Sequence, residues 1–307
     1  VAVERETDLY APVKAFFVRR GYEVRAEVRG CDLVAVRPGE DEPVIVEMKK
    51  TFTLPLLLQG VDRQRTGADV WLAVERNRTK KGAHNQRFAE LSMLCGRLGL
   101  GLLTVTFFKT KEPFVEVWRE PGAHPLRSGR GGGANGAGAG AAAPASGGSE
   151  ALRAAAAALG GGGGYGVAAG GRKRAGAKRL LKEFAGRSGD YNVGGSLRRK
   201  LVTAYRERAI QCALALACRG RLAPREVKAL TGCANADRML RDNHYGWFRN
   251  PERGVYELSP EGKAGLREFA EVTAAWAAKF EWAAEWRPAA AKPDEPITAN
   301  RERMRSE

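Results

Sequence analysis

The sequence predicts a two-domain chain: a mixed α/β domain with an αβββαβ core, then a mainly α-helical domain. Three observations predict it. Residues 1–120 switch between helical and two-residue hydrophobic periods. Residues 121–171 hold 18 of the chain's 38 glycines, interleaved with alanine, and have too few large apolar side chains to bury a core. Residues 201–286 return to helical spacing around one hairpin signal. At 307 residues the chain is long enough for two domains of ordinary size. Composition sets the boundaries: a domain at 1–120, a flexible Gly/Ala linker at 121–171, a basic segment at 172–200, a second domain at 201–286 and a disordered tail at 287–307.

In the first domain, Leu9, Val13, Phe16 and Phe17 have the spacing of an amphipathic helix that stops at Gly21, with a start blurred by Pro12. Residues 22–29 alternate strictly, as a strand buried on one face does. Gly30 turns the chain. Two strands follow at 32–37 and 44–49, joined by Pro38-Gly39-Glu40-Asp41 as a hairpin. Next come a helix at 54–64, a strand at 69–74, a helix at 85–98, and strands at 102–107 and 114–118. The full order is αβββαβαββ.

Net charge is +16, but it is unevenly placed: +3 over 1–120 (20 basic, 17 acidic), +10 over 121–200 (13 basic, 3 acidic) and +3 over 201–307 (18 basic, 15 acidic). Arg172, Lys173 and Arg174, followed by Lys178, Arg179 and Lys182, could neutralise phosphates of a nucleic acid; a solvated linker accounts for them equally well. The five cysteines form no Cys-x-x-Cys pair and the three histidines do not cluster with them, so free thiols in a reducing compartment are expected. With no apolar run long enough to cross a bilayer and a charged N-terminus, the reading is a soluble, cytoplasmic protein without a membrane partner.

The chemistry gathers on the hairpin. A turn about the Gly39/Glu40 bond pairs residues whose numbers sum to 79, which sets Asp32 opposite Glu47. The two-residue period puts Ile45, Glu47 and Lys49 on one face and sends Lys50 away. Two facing carboxylates repel unless a cation lies between them or one is protonated. Oxygen ligands favour Mg²⁺ or Mn²⁺, which polarises a phosphoryl oxygen and acidifies water, while Lys49 orients the water or offsets charge. Phosphodiester hydrolysis is the matching reaction. Glu-x-Lys taken alone also fits a solvated strand end.

The Asp-x14-Glu-x-Lys core, between an N-terminal helix and a following one, resembles the PD-(D/E)XK nuclease superfamily, with Cys31 where the motif's name has Pro. Glu6-Thr7-Asp8-Leu9-Tyr10, Gly30-Cys31-Asp32, 56–63 and 240–248 are similar to a bacterial family of phosphodiesterases of that type. The resemblance implies a restriction-endonuclease-like fold and Mg²⁺-dependent cleavage of nucleic acid, with Asp32 and Glu47 on the metal. It also draws in Glu6, where many members carry an acidic residue that assists the metal, and Gln59, where some carry a glutamine that touches water or DNA. A helix-cap role for Glu6 and a buried structural role for Gln59 stay open.

In the second domain, helices are expected at 205–218, 224–230 and 235–242, then a hairpin from 247–249 and 255–258, and a helix capped by Ser259. Three helices and a hairpin resemble a winged helix-turn-helix. There Arg238 and Arg241 of the third helix would enter the major groove, and Arg249 or Arg253 would meet phosphate. His244 and Tyr245 read as packing. A last helix carries Leu266, Phe269, Thr273, Trp276, Phe280 and Ala283 as one apolar stripe, which caps the domain or forms a homodimer contact. Two functions are therefore carried forward: a metal-dependent nuclease acting on DNA, and a catalytically silent nuclease fold that binds DNA through its winged helix as a regulator.

Overall fold

A computed structural model describes residues 4–77, 87–122, 166–195 and 200–287. The chain divides into two compact units, Val1–Leu201 and Val202–Glu307.

The first unit opens with a 3₁₀ turn, Glu6–Leu9, leading into α1 (Tyr10–Arg19), β1 (Glu23–Val28), β2 (Cys31–Val36), β3 (Val44–Lys49), α2 (Leu54–Arg63), β4 (Asp69–Glu75), α3 (Phe88–Arg97), β5 (Gly101–Thr106) and β6 (Phe114–Arg119). This is the order expected from periodicity, with most ends within two residues. The helix start blurred by Pro12 is the 3₁₀ turn, closed by Asp8, which accepts the Arg5 N–H at 2.9 Å. The six strands lie in sequence order in one sheet. β1, β2 and β3 pair antiparallel, β3, β4 and β5 parallel, and β6 returns antiparallel. The parallel steps require crossovers, supplied by α2 and α3.

The sheet is buried on both faces. Against one lie Leu9, Val13 and Phe17 with Leu33, Val46 and Met48. Against the other lie Leu56, Leu57 and Cys95 with Val34, Ile45 and Leu72. β3 alternates between the two cores, so Glu47 and Lys49 are in phase with Ile45 on the α2 side. Gly60 lets α2 ride close to the sheet: a Cβ there would stand 2.8 Å from Leu72 Cδ2. That approach carries the helix's last turn to the carboxylates.

The basic segment 172–200 departs from expectation. Its described part belongs to the first unit. Helix α4 (Gly166–Ala185) begins inside the stretch read as linker, of which 123–165 lie outside the described residues. Leu180 and Phe184, four residues apart, are buried in the α2-side core. Composition hid this because the basic residues outnumber those two anchors. Beyond α4, the Arg187 guanidinium donates to the carbonyls of Ala26 and Glu27 at 2.8 and 2.7 Å. The Asp190 carboxylate accepts from Ala26 N at 2.7 Å, Lys14 Nζ at 2.5 Å and the Tyr10 hydroxyl. Residues 186–195 thus form an arm across α1 and β1.

The second unit holds α5 (Ala204–Arg219), α6 (Pro224–Thr231), α7 (Ala236–Asp242), the hairpin β7 (Phe248–Glu252) and β8 (Val255–Leu258), α8 (Pro260–Glu268) and α9 (Ala270–Ala277). An isolated antiparallel bridge joins Leu222 to Tyr256. Ser259 caps α8, accepting the Gly262 N–H at 3.0 Å. The single last helix expected from the stripe is broken: Phe269 leaves the helical region at φ −105°, ψ 41°, and Glu281–Ala283 is a 3₁₀ turn. The breaks let Trp276 reach the buried Glu207, donating to it at 3.0 Å. His244 and Tyr245 stack around Tyr205 at 5.6 and 5.8 Å, which is packing. Among the described residues no helix is long and apolar enough to cross a membrane.

Candidate active site

The hairpin register is the one the turn arithmetic requires. Leu33 pairs with Val46, Val34 with Ile45 and Ala35 with Val44. The ladder ends there, one step short of Asp32 and Glu47, and the charge of Asp32 is felt at Glu47. Asp32 opens β2 and turns its carboxylate into the ladder, where Oδ2 accepts the Met48 N–H at 2.8 Å. Glu47 is only 1% exposed, and its Oε1 accepts from Arg63 Nε at 2.5 Å. The same guanidinium donates to the Gly30 carbonyl, so Arg63 ties the end of α2 to both ends of the hairpin. Lys49 Nζ meets Glu6 Oε2 at 2.9 Å.

These neighbours shape the titrations. Burial, then the charge of Asp32, pushes the Glu47 carboxyl up to about 7, against the pull of Arg63. Burial likewise raises Asp32, opposed by its bond from Met48 and by Lys49. Lys49 is raised, first by its hydrogen bond to Glu6. Cys31 is pushed up to about 12 by burial, which leaves it an inert thiol at neutral pH.

Five ionisable groups meet here, three acidic (Glu6, Asp32, Glu47) and two basic (Lys49, Arg63). Burial, then the charge of Asp32, outweighs the pull of Arg63 on Glu47, which is why Glu47 keeps its proton well above the usual carboxylate range. Asp32 and Glu47 each commit one oxygen to a protein donor. The donor set fits a hard divalent cation that keeps several waters. Among the described residues no group of three or more His, Cys, Asp or Glu is placed to hold a metal ion, so a cation here would rest on two carboxylates and water.

Glu6 reaches Lys49, and Asp8 takes the capping role. Gln59 is exposed, one helical turn before Arg63, so the buried structural role considered for it does not hold. Arg172, Lys173 and Arg174 fall on α4. On α7, Arg238 and Arg241 have side chains 73% and 66% exposed, each close to Asp242. Sequence reasoning gave no role to Arg63, although its spacing from Leu56 and Gly60 places it on the buried stripe of α2. It also missed Arg187 and Asp190, whose only local signal was the Leu180/Phe184 pair just before them.

Comparison with curated proteins finds no match, and comparison with solved structures finds none either. A family model described as "Putative PD-(D/E)XK phosphodiesterase" matches residues 167–265. That stretch takes in α4 and the arm of the first unit and runs into α8 of the second, while Asp32, Glu47 and Lys49 lie outside it. Over 167–265 the chain is similar to the PD-(D/E)XK phosphodiesterase family.

Proposed function

We propose that the first unit hydrolyses phosphodiesters of nucleic acid, DNA first of all, with a divalent metal, Mg²⁺ or Mn²⁺, held by Asp32 and Glu47. The observation that carries this is the mutual influence of Asp32, Glu47 and Lys49 at the open end of the β2–β3 ladder. The family match over the arm supports it. When bound, the cation supplies Lewis acidity for a phosphoryl oxygen and for attacking water. Glu47, locked by Arg63, would offer a fixed anchor that gives up its proton as the cation binds. Asp32, held by the Met48 N–H, offers the second from the facing strand. Lys49, steadied by Glu6, orients the water and offsets charge that builds on the phosphoryl oxygens.

In the second unit, three helices, the hairpin and the Leu222–Tyr256 bridge support a winged-helix reading. Arg238 and Arg241 on α7 would face the major groove, and the exposed Arg249 and Arg253 the backbone. Arg172, Lys173 and Arg174 would add phosphate contacts.

The Arg63–Glu47 ion pair favours a second reading, in which Arg63 is a permanent counter-ion and the site binds no metal. Cleavage of plasmid, linear duplex and single-stranded DNA in Mg²⁺ and in EDTA separates the two. Metal-dependent cutting that disappears in Glu47→Ala supports the enzyme; equal cutting by both proteins identifies a contaminant and overturns it. Calorimetry showing no Mn²⁺ binding dependent on Asp32 and Glu47 supports the silent fold.

A further inference from the structure

The arm ends on the site. Gly194 lies so close to the start of β2 that a Cβ built on it would come 2.4 Å from the Asp32 carbonyl oxygen, 2.6 Å from Met48 Cε and 2.9 Å from Tyr10 Cδ2. Two of the three make the hydrogen bond that sets the Asp32 carboxylate. Asp32 carries it, Met48 supplies the N–H that holds its Oδ2, and Tyr10 is gripped by Asp190 of the arm. The next residue, Gly195, stands against Glu6, the partner of Lys49. Upstream, Arg187 is 4% exposed and holds two β1 carbonyls, so the arm is fixed at one end and presses on the site at the other.

We infer that Gly194 is a positioning residue for the metal site: the arm, anchored by Arg187 and Asp190, presses its backbone on Asp32 and Met48 and fixes the Asp32 carboxylate in the geometry that receives the cation. The inference deepens the reading of Asp32 as a metal ligand and rests on it. It makes the site depend on chain that follows the Gly/Ala stretch, more than 150 residues after Asp32. Gly194 does not adopt a left-handed φ, so alanine there tests the contact without backbone strain. A Cβ under 3.0 Å from backbone forces the arm or the β2 start to move.

The test uses the full chain carrying Gly194→Ala, with Gly122→Ala as the control, since a Cβ at Gly122 meets nothing within 4 Å and its φ is not left-handed. Two readouts are taken beside the melting temperature: amide exchange of Met48, which reports the Asp32–Met48 bond without metal, and Mn²⁺ affinity by calorimetry. The expected result is Met48 exchange at least about tenfold faster, Val46 unchanged and Mn²⁺ binding at least about tenfold weaker. Met48 exchange and Mn²⁺ binding equal to the parent overturn the inference. If Gly194→Ala does not fold, Asp190→Asn decides by the same two readouts, because it removes the charge that pairs with Lys14 and, keeping one acceptor for Tyr10, gives up the one for the Ala26 N–H. If the parent binds no Mn²⁺, the metal reading fails by itself, and Met48 exchange still decides whether the arm holds Asp32.

Discussion

Arg63 Nε stands 2.5 Å from Glu47 Oε1, an ion pair between α2 and β3 whose acid is 1% exposed. Removing one partner of such a pair leaves an uncompensated buried charge, which costs about 3 kcal/mol or more. Arg63→Ala is therefore expected to lower the melting temperature in EDTA. A cation at the carboxylates would replace the lost charge, so saturating Mn²⁺ should stabilise Arg63→Ala more than it stabilises the parent. Equal metal-induced shifts in the two proteins, measured by calorimetric scanning, would show that Arg63 and the metal do not share Glu47.

Glu47 makes the site pH-dependent in a definite direction. Its carboxyl is raised from 4.5 to about 7, first by burial and then by Asp32. The fold thus binds this proton more tightly than the unfolded chain does. Its contribution favours folding below about 4.5 and is lost as pH rises toward about 7. Glu47→Gln removes that loss, so stability plotted against pH should be flatter between 4.5 and 7 in the variant. Metal affinity should move the opposite way and climb as pH rises toward 7, because binding expels the proton. Melting curves and Mn²⁺ titrations across this window check both signs; a parent and a Glu47→Gln variant with parallel profiles would refute the assignment.

The sheet and the hairpin chemistry were legible because strand burial alternates with period two and because Pro38-Gly39 fixes one register. That arithmetic sets Asp32 opposite Glu47 with Lys49 in phase, while reading them as a metal site drew on the family resemblance. Glu6 entered through the resemblance, and the 3₁₀ turn that begins the helix brings it to Lys49. Arg63 was legible only as a member of α2's buried stripe; its pairing with Glu47 depends on how near Gly60 lets α2 approach the sheet, a tertiary distance. The arm was hidden more deeply. Asp190 gains its meaning only from Tyr10, Lys14 and Ala26, more than 160 residues earlier, and nothing in the spacing of 186–195 announces that pairing.

The proposed DNA contacts make a salt-dependence prediction. Each phosphate neutralised contributes about 0.9 to the slope of log affinity against log salt. If Arg172, Lys173 and Arg174 each meet a phosphate, their joint replacement by glutamine should reduce the slope by roughly 2 to 3. Arg238→Ala and Arg241→Ala should instead weaken sequence preference, if α7 reads bases, at about 1–3 kcal/mol per contact. Fluorescence anisotropy over a salt series distinguishes the groups, and an unchanged slope in the triple variant would remove α4 from the DNA-binding surface.

A nick in the Gly/Ala stretch should leave the first unit in one piece. The chain returns through α4, where Leu180 and Phe184 are 2% and 5% exposed in the core, and burying two such side chains contributes on the order of 3–6 kcal/mol. Arg187 and Asp190 add hydrogen bonds to β1 and α1, several of them charge-assisted. A protease site inserted between residues 123 and 165 and cleaved in the folded protein is thus expected to give two fragments that co-elute on gel filtration. Combining Arg187→Ala with Asp190→Ala should loosen the pair, because each change strands a buried partner on β1 or α1. Fragments that separate after cleavage of the unsubstituted protein would mean that the arm is held only by its covalent tether. Its grip on Asp32 could then not be what shapes the site.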